Sequence, residues 1–174
     1  MHPCAQCARL QRTCCERAEV VVTDGDIRRI EAFTRRTGFW EFRAPTNPQY
    51  TDQPDDPNWV RYTMERDGTR RVLRRLDSGA CLFLGDRGCT LPTEVRPLVC
   101  RLYPYDYTET EIKGMDDSYC PVDRLIPAEQ RAAGVTMLTI LGMRMEDAER
   151  WRRMLYEELK ARAERKEQAS CASA

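Results

Sequence analysis

The chain has 174 residues, 41% of them hydrophobic, which suits one ordinary domain with a modest core. Its 28 basic and 28 acidic side chains cancel, which argues against a dedicated nucleic-acid binder. No apolar run approaches the ~20 residues of a membrane span, and the polar start, MHPCAQCARLQRTCCER, lacks a signal peptide's apolar stretch; taking Met1 as the true start, we expect a cytoplasmic protein.

In chain order, AEVVVT (18–23) is a β-branched run and predicts a short strand. A helix over 24–37 should follow, with Thr23 as N-cap and Asp26 closing an acidic variant of the capping box. Ile27, Ile30 and Phe33 recur at helical spacing, and Gly38 is a natural stop. Residues 44–58 hold four prolines and read as an ordered loop. WVRYTMERDGTRRVLRRL (59–76) reads as a hairpin around Asp67-Gly68, its arginines forming a solvated face. SGACLFLGDRGCTL (78–91) reads as a second hairpin turning at Gly85–Gly88, and TETEIKGM (108–115) as an edge strand. From Pro127 the chain should be helical, broken at Gly134 and Gly142. There Met137, Leu138, Leu141, Met145, Ala148, Trp151, Leu155 and Leu159 form an apolar stripe. The stripe fits packing on the domain better than a homodimer or protein-partner interface, although a single stripe suits either. The last residues, EQASCASA, should fray.

The chemistry lies in nine cysteines, grouped as Cys4, Cys7, Cys14 and Cys15, then Cys81, Cys89, Cys100 and Cys120, with Cys171 alone in a polar tail. In a reducing compartment such clusters are metal ligands or redox groups more often than disulfides. The sole histidine is His2, which removes most Cys/His zinc patterns and Cys/His catalytic pairs. Cys4-x2-Cys7 can bite one ion, because the intervening turn brings both sulfurs to one side. The adjacent Cys14 and Cys15, taken as extended, point apart. They would then serve two centres or two corners of a polynuclear cluster, or one would be a ligand and the other a small buried residue. Glycines at 85 and 88 allow a tight path between Cys81 and Cys89. Pro97 should open a helix carrying Cys100, flanked by Arg96 and Arg101, whose charges would offset clustered thiolates. Surface pairing with Glu94 or Asp106 is the alternative for these two arginines. Cys120-Pro121 is similar to the Cys-Pro that closes ferredoxin-type cysteine runs.

The front CxxC followed by CC, then Cys81, Gly88-Cys89, the Arg96-Pro97-x-x-Cys100-Arg101 element and Cys120, resembles the bacterial YkgJ-like, or CxxCxxCC, cysteine-cluster family of zinc- or iron-chelating proteins. The resemblance spans roughly residues 4–121, with six residues between Cys7 and Cys14 where the family's name implies two. It implies metal binding without a settled reaction. A flagellin lysine methylase looks similar over its cysteine cluster, so the resemblance also admits a modification enzyme. No glycine-rich βα turn for a nucleotide cofactor accompanies it, since LGDRG lies between two cysteines.

The expected fold is therefore α+β: a small irregular domain of short antiparallel hairpins and helices around a multi-cysteine metal site, with a long C-terminal helix. Residues 1–126 should form the cysteine-cluster domain, 127–167 a helical extension and 168–174 a flexible tail. The expected ligands are Cys4, Cys7, Cys14, Cys15, Cys81, Cys89, Cys100 and Cys120. No catalytic residue is assigned. Eight clustered thiols exceed what one tetrahedral zinc uses, which favours an iron–sulfur cluster with a redox, sensing or metal-handling role. Structural zinc in an interaction module is the alternative.

Overall fold

A computed structural model describes residues 3–11 and 13–171; His2 lies outside them. In chain order the elements are α1 (Pro3–Leu10), α2 (Cys14–Arg17), α3 (Asp24–Thr34), β1 (Trp40–Arg43), α4 (Pro57–Thr63), β2 (Arg70–Leu73), β3 (Leu84–Gly85), β4 (Gly88–Cys89), α5 (Leu98–Leu102), β5 (Tyr105–Tyr107), β6 (Ile112–Met115), α6 (Val122–Leu125), α7 (Ala128–Ala132), α8 (Met137–Leu141) and α9 (Met145–Cys171). The strands form three antiparallel pairs, β1 with β2, β3 with β4 and β5 with β6. This is the expected α+β arrangement of hairpins, helices and a long C-terminal helix.

The segment predicted as a strand at 18–23 makes only a bridge, Val21 opposite Val72, on the edge of β2 away from β1. Successive strand residues point to opposite faces, and here that alternation separates two cores. Val21 and Val72 face one that holds Tyr62, Leu98, Leu102, Leu155, Tyr156 and Leu159. Val22 and Leu73 face the other, with Ile30, Phe39, Phe83 and Leu91. Cys81 is buried in this second core, and Cys15 and Cys89 pack at its edge.

Helix α3 starts as expected. The Asp26 N–H donates to the Thr23 hydroxyl at 3.0 Å, and the Thr23 N–H to the Asp26 carboxylate at 3.0 Å. It ends earlier than expected, at Arg35 in the left-handed region rather than at Gly38. Ile30 is fully buried, whereas Phe33 is exposed. The predicted first strand at 59–64 is instead helix α4. Pro57 occupies its first turn, where a missing N–H costs nothing, and Tyr62 and Trp59 turn toward α9. The arginine run is not a solvated face throughout. Arg70 is buried, pairs with Glu19 at 2.7 Å and lies 3.9 Å over the Tyr50 ring. Arg71 is buried as well and pairs with Asp24 at 2.6 Å.

The hairpin at 78–91 forms as β3–β4, with Gly85 opposite Gly88, and the expected edge strand forms as β6. Gly142 caps α8 in the left-handed conformation, and Gly134 also has positive φ. Of the C-terminal stripe, Ala148, Trp151, Leu155 and Leu159 enter the first core, while Met145 is exposed. The stripe is thus packed on the chain itself. Helix α9 continues to Cys171, past the expected end at 167, so residues 168–171 are helical. Among the described residues no helix is long and apolar enough to cross a membrane.

Candidate metal centre

Five segments carry the clustered cysteines. Cys4 and Cys7 stand three apart on α1, hence on one face of the helix. Ala5 between them is buried and lands on β4: a Cβ placed on Gly88 would lie 3.6 Å from the Ala5 nitrogen. Gly88 has φ +95, a conformation L side chains rarely adopt. The positive φ of Gly88, rather than the space a side chain would take, is what calls for glycine where α1 meets β4. The other end of α1 is tied to the Cys120 segment. The Gln11 side chain donates to the Tyr119 carbonyl at 2.6 Å, and Arg124 donates to the Leu10 carbonyl at 3.2 Å.

The vicinal pair opens the short helix α2, not an extended segment. The Thr13 N–H donates to the Glu16 carboxylate at 2.7 Å and closes that turn. Adjacent helical residues diverge by about 100° rather than pointing opposite ways, so the two thiols stay near enough to shift each other's titration. Cys15 is tied to the middle of the chain, because its carbonyl accepts from the Cys81 N–H at 2.8 Å. The LGDRG stretch is the β3–β4 turn and opens no helix. Cys100 lies on α5, whose Leu98 N–H donates to the buried Asp26 carboxylate at 3.0 Å. Cys120 sits in a turn closed by its own N–H to the Asp117 carbonyl at 2.7 Å, and its sulfur lies 3.5 Å from the Tyr103 hydroxyl.

The electrostatics show which thiols share a neighbourhood. Cys100 feels Cys15, Cys81 and Cys89; Cys81 feels Cys15 and Cys89. Cys4 feels Cys15, Cys7 and Cys120, and Cys7 feels Cys120 and Cys15. Cys14 feels Cys15, Cys100 and Cys4. Burial is the first cause that pushes the Cys4 and Cys81 thiols up to about 11, and it raises Cys7, Cys89, Cys100 and Cys120 too. The vicinal pair divides: the bond to Cys15, and then burial, drive the Cys14 thiol far up. That same bond, helped by Arg96, lowers Cys15 to about 7. Burial and the bond to Cys120 also push the Tyr103 phenol well above its ordinary value. Cys171 is exposed at the end of α9.

The two predicted arginines behave differently. Arg96 acts electrostatically on Cys4, Cys15 and Cys89, while its Nε donates to the Leu91 carbonyl at 2.9 Å. Arg101 is buried and clamps the backbone before its helix, donating to the carbonyls of Arg96 at 2.7 Å and of Glu94. Its electrostatic neighbours are Arg29, Asp26, Glu158 and Glu94, not cysteines. Sequence reasoning missed Arg75, which stabilises ionised Cys15 and Cys81. Arg75 donates to the Glu16 carbonyl at 2.9 Å and to that of Ala18, so it also grips the chain just past the vicinal pair. The one local signal was its place in the arginine run before Cys81.

None of the nine cysteines forms a disulfide. Among the described residues no three or more Cys, His, Asp or Glu side chains stand together closely enough to hold a metal ion. The donor set still fits a soft metal or cluster. It consists of thiols on five segments, partly or wholly buried, several of them near Arg96 or Arg75, and the protons of the raised thiols are what a cation would displace.

An α+β scaffold that gathers thiols from its front, middle and Cys120 segment defines a thiol-rich metal-chelating domain. The family described as CxxCxxCC, "Putative zinc- or iron-chelating domain", matches residues 3–121, more than half of the chain, and the protein belongs to it. No curated protein and no solved structure gives a significant match.

Proposed function

We propose that this zinc- or iron-chelating domain holds iron–sulfur chemistry in two neighbouring thiolate sets divided at the vicinal pair. The rear set is Cys15, Cys81, Cys89 and Cys100; the front set is Cys4, Cys7, Cys14 and Cys120. The observation that carries this reading is the position of Cys15. It packs with Cys81 and Cys89 at the second core, its carbonyl accepts from the Cys81 N–H at 2.8 Å, and it directly follows Cys14, which feels both Cys100 and Cys4. Adjacent ligands on one short helix suit two centres side by side, or corners of one polynuclear centre, better than a lone ion. Arg96 and Arg75 offset the negative charge that four thiolates leave on a centre. When bound, the cluster would supply one-electron redox chemistry, or lability that reports metal or oxidant supply. Reduced cysteines in this number suit a reducing compartment such as the cytoplasm.

The test is purification without oxygen. Brown protein containing iron and acid-labile sulfide, bleaching on oxidation or reduction, is the expected result. Colourless protein with stoichiometric zinc and no sulfide would overturn it, and two tetrahedral zinc sites on the same two sets would replace it.

A further inference from the structure

Tyr103 is half-buried and directly follows α5, the helix that carries Cys100 of the rear set. Its neighbours Leu102 and Tyr105 belong to the first core. Tyr103 packs into neither of the two cores. Its hydroxyl instead reaches across to the Cys120 sulfur at 3.5 Å. A metal-bound Cys120 is a thiolate and has no proton to give, so in the loaded protein the phenol must be the donor. The Cys120 backbone is already fixed by its turn, through its N–H to Asp117 and its carbonyl from the Val122 N–H at 2.8 Å. What remains unset by that turn is the direction of the sulfur.

We propose that Tyr103 is a positioning residue for the front thiolate set, orienting the Cys120 sulfur and offsetting its charge through the phenol hydrogen bond. This rests on the reading of Cys120 as a ligand. Hydrogen bonds from outside a ligand shell orient the ligand and tune the metal, and their loss costs affinity without removing a donor. Tyr103 also joins the two sets mechanically. The chain runs from Cys100 through one helical turn to Tyr103, so a shift of α5 would move the partner of Cys120.

The full chain, purified with its metal, is challenged with excess ethylenediaminetetraacetate, and the metal left on the protein is counted over time by elemental analysis. Tyr103→Phe keeps the ring and deletes the donor. It should release the Cys120-dependent share of the metal about tenfold faster and leave the remainder at the wild-type rate. In a Cys120→Ser background the same substitution should change nothing further, the signature of a pairwise contact. Equal release from wild type and Tyr103→Phe would overturn the proposal. So would equal acceleration in both backgrounds, because it would mark Tyr103 as merely structural. Wild-type protein carrying no metal would overturn the metal reading beneath it, whereas metallated wild type with an indifferent Tyr103→Phe would overturn the role of Tyr103 alone.

Discussion

The backbone N–H of Cys81 donates to the carbonyl of Cys15 at 2.8 Å. That bond joins the vicinal pair at the front of the chain to the first cysteine of its middle, so a metal sharing their sulfurs would close a long loop. Ligand binding to the folded state alone stabilises by about 4 kcal/mol when metal exceeds its dissociation constant a thousandfold. Cys15→Ser and Cys100→Ser should therefore lose metal and lower Tm strongly, while Cys171→Ser, exposed on α9, should do neither. Thermal melts paired with elemental analysis decide it, and equal behaviour of Cys100→Ser and Cys171→Ser would show that no such site closes the loop.

Metal loading should release protons. Burial, first among the causes, pushes Cys4 and Cys81 up to about 11, so both thiols keep their protons near neutral pH in the metal-free chain. A metal takes the thiolate, and those protons must leave. The sign follows: a raised pKa means competition from protons that grows as pH falls, so affinity should weaken on acidification and keep rising until pH nears the raised value. Calorimetry in buffers of different ionisation enthalpy counts the released protons. An affinity that levelled off by about pH 9, where an ordinary thiol has largely finished titrating, would contradict it.

The sequence carried the local devices well. Thr23 and Asp26 announce the start of α3 by their spacing, and glycines at 85 and 88 announce the β3–β4 turn, because such signals act within a few residues. Residues 59–64, read as a strand of the hairpin around Asp67-Gly68, are helical, and Pro57 in the first turn of α4 is the local cue to that. The burial of Arg70 was not legible, because its partners Glu19 and Tyr50 come from distant segments. The site shows the same limit. The clustering of the thiols is visible in the sequence, whereas the helical turn at Cys14-Cys15 and the grip of Arg75 on residues 16–18 depend on the chain path.

The Arg70–Glu19 pair should be costly to break. Both side chains are nearly inaccessible, 1% and 4% exposed, and removing one partner of a buried pair costs about 3–5 kcal/mol by leaving a charge uncompensated. Burial pushes the Glu19 carboxyl up, yet bonds from Thr46 and Arg70 prevail and hold it below its ordinary 4.5. A depressed folded pKa gives stability that is present above the unfolded value and lost as pH falls through the folded one. Glu19→Gln should thus be least stable relative to wild type at neutral pH, with the gap narrowing below about pH 4. Urea melts across pH measure the gap, and one that widened toward acid would be wrong in sign.

Gly88→Ala should loosen α1. The cost comes from φ +95, not from a clash, since the nearest atoms of Ala5 lie at ordinary contact distance. A left-handed backbone at an L residue costs roughly 1–2 kcal/mol. The hairpin can relieve that strain by shifting β4 away from Ala5, which would weaken the docking of Cys4 and Cys7. Trypsin should then cut after Arg9 or Arg17 sooner than in wild type, with little change in cleavage within α9. Gly38→Ala, which also sits at positive φ but has nothing within 4 Å, should leave cleavage near α1 unchanged. Identical digestion of Gly88→Ala and wild type would refute the link between β4 and α1.

Leu155→Ala tests how far the C-terminal helix supports the site. Leu155 is fully buried in the core it shares with Leu98 and Leu102, the two ends of the helix that bears Cys100. Truncating a buried leucine costs about 2–5 kcal/mol through lost transfer energy and the cavity left behind. That cavity would open against α5, and α5 is also held through Asp26, which accepts from Leu98 and is bridged by Arg29 to Glu158 of α9. The substitution should therefore lower Tm and quicken metal release to a chelator together, although no ligand has been touched. Leu141→Ala, on α8, should lower Tm less and leave metal release at the wild-type rate, since Leu141 is only half-buried and lies outside that core. A Leu155→Ala protein that is destabilised but releases metal at the wild-type rate would show that α9 supports the fold without supporting the thiolate site.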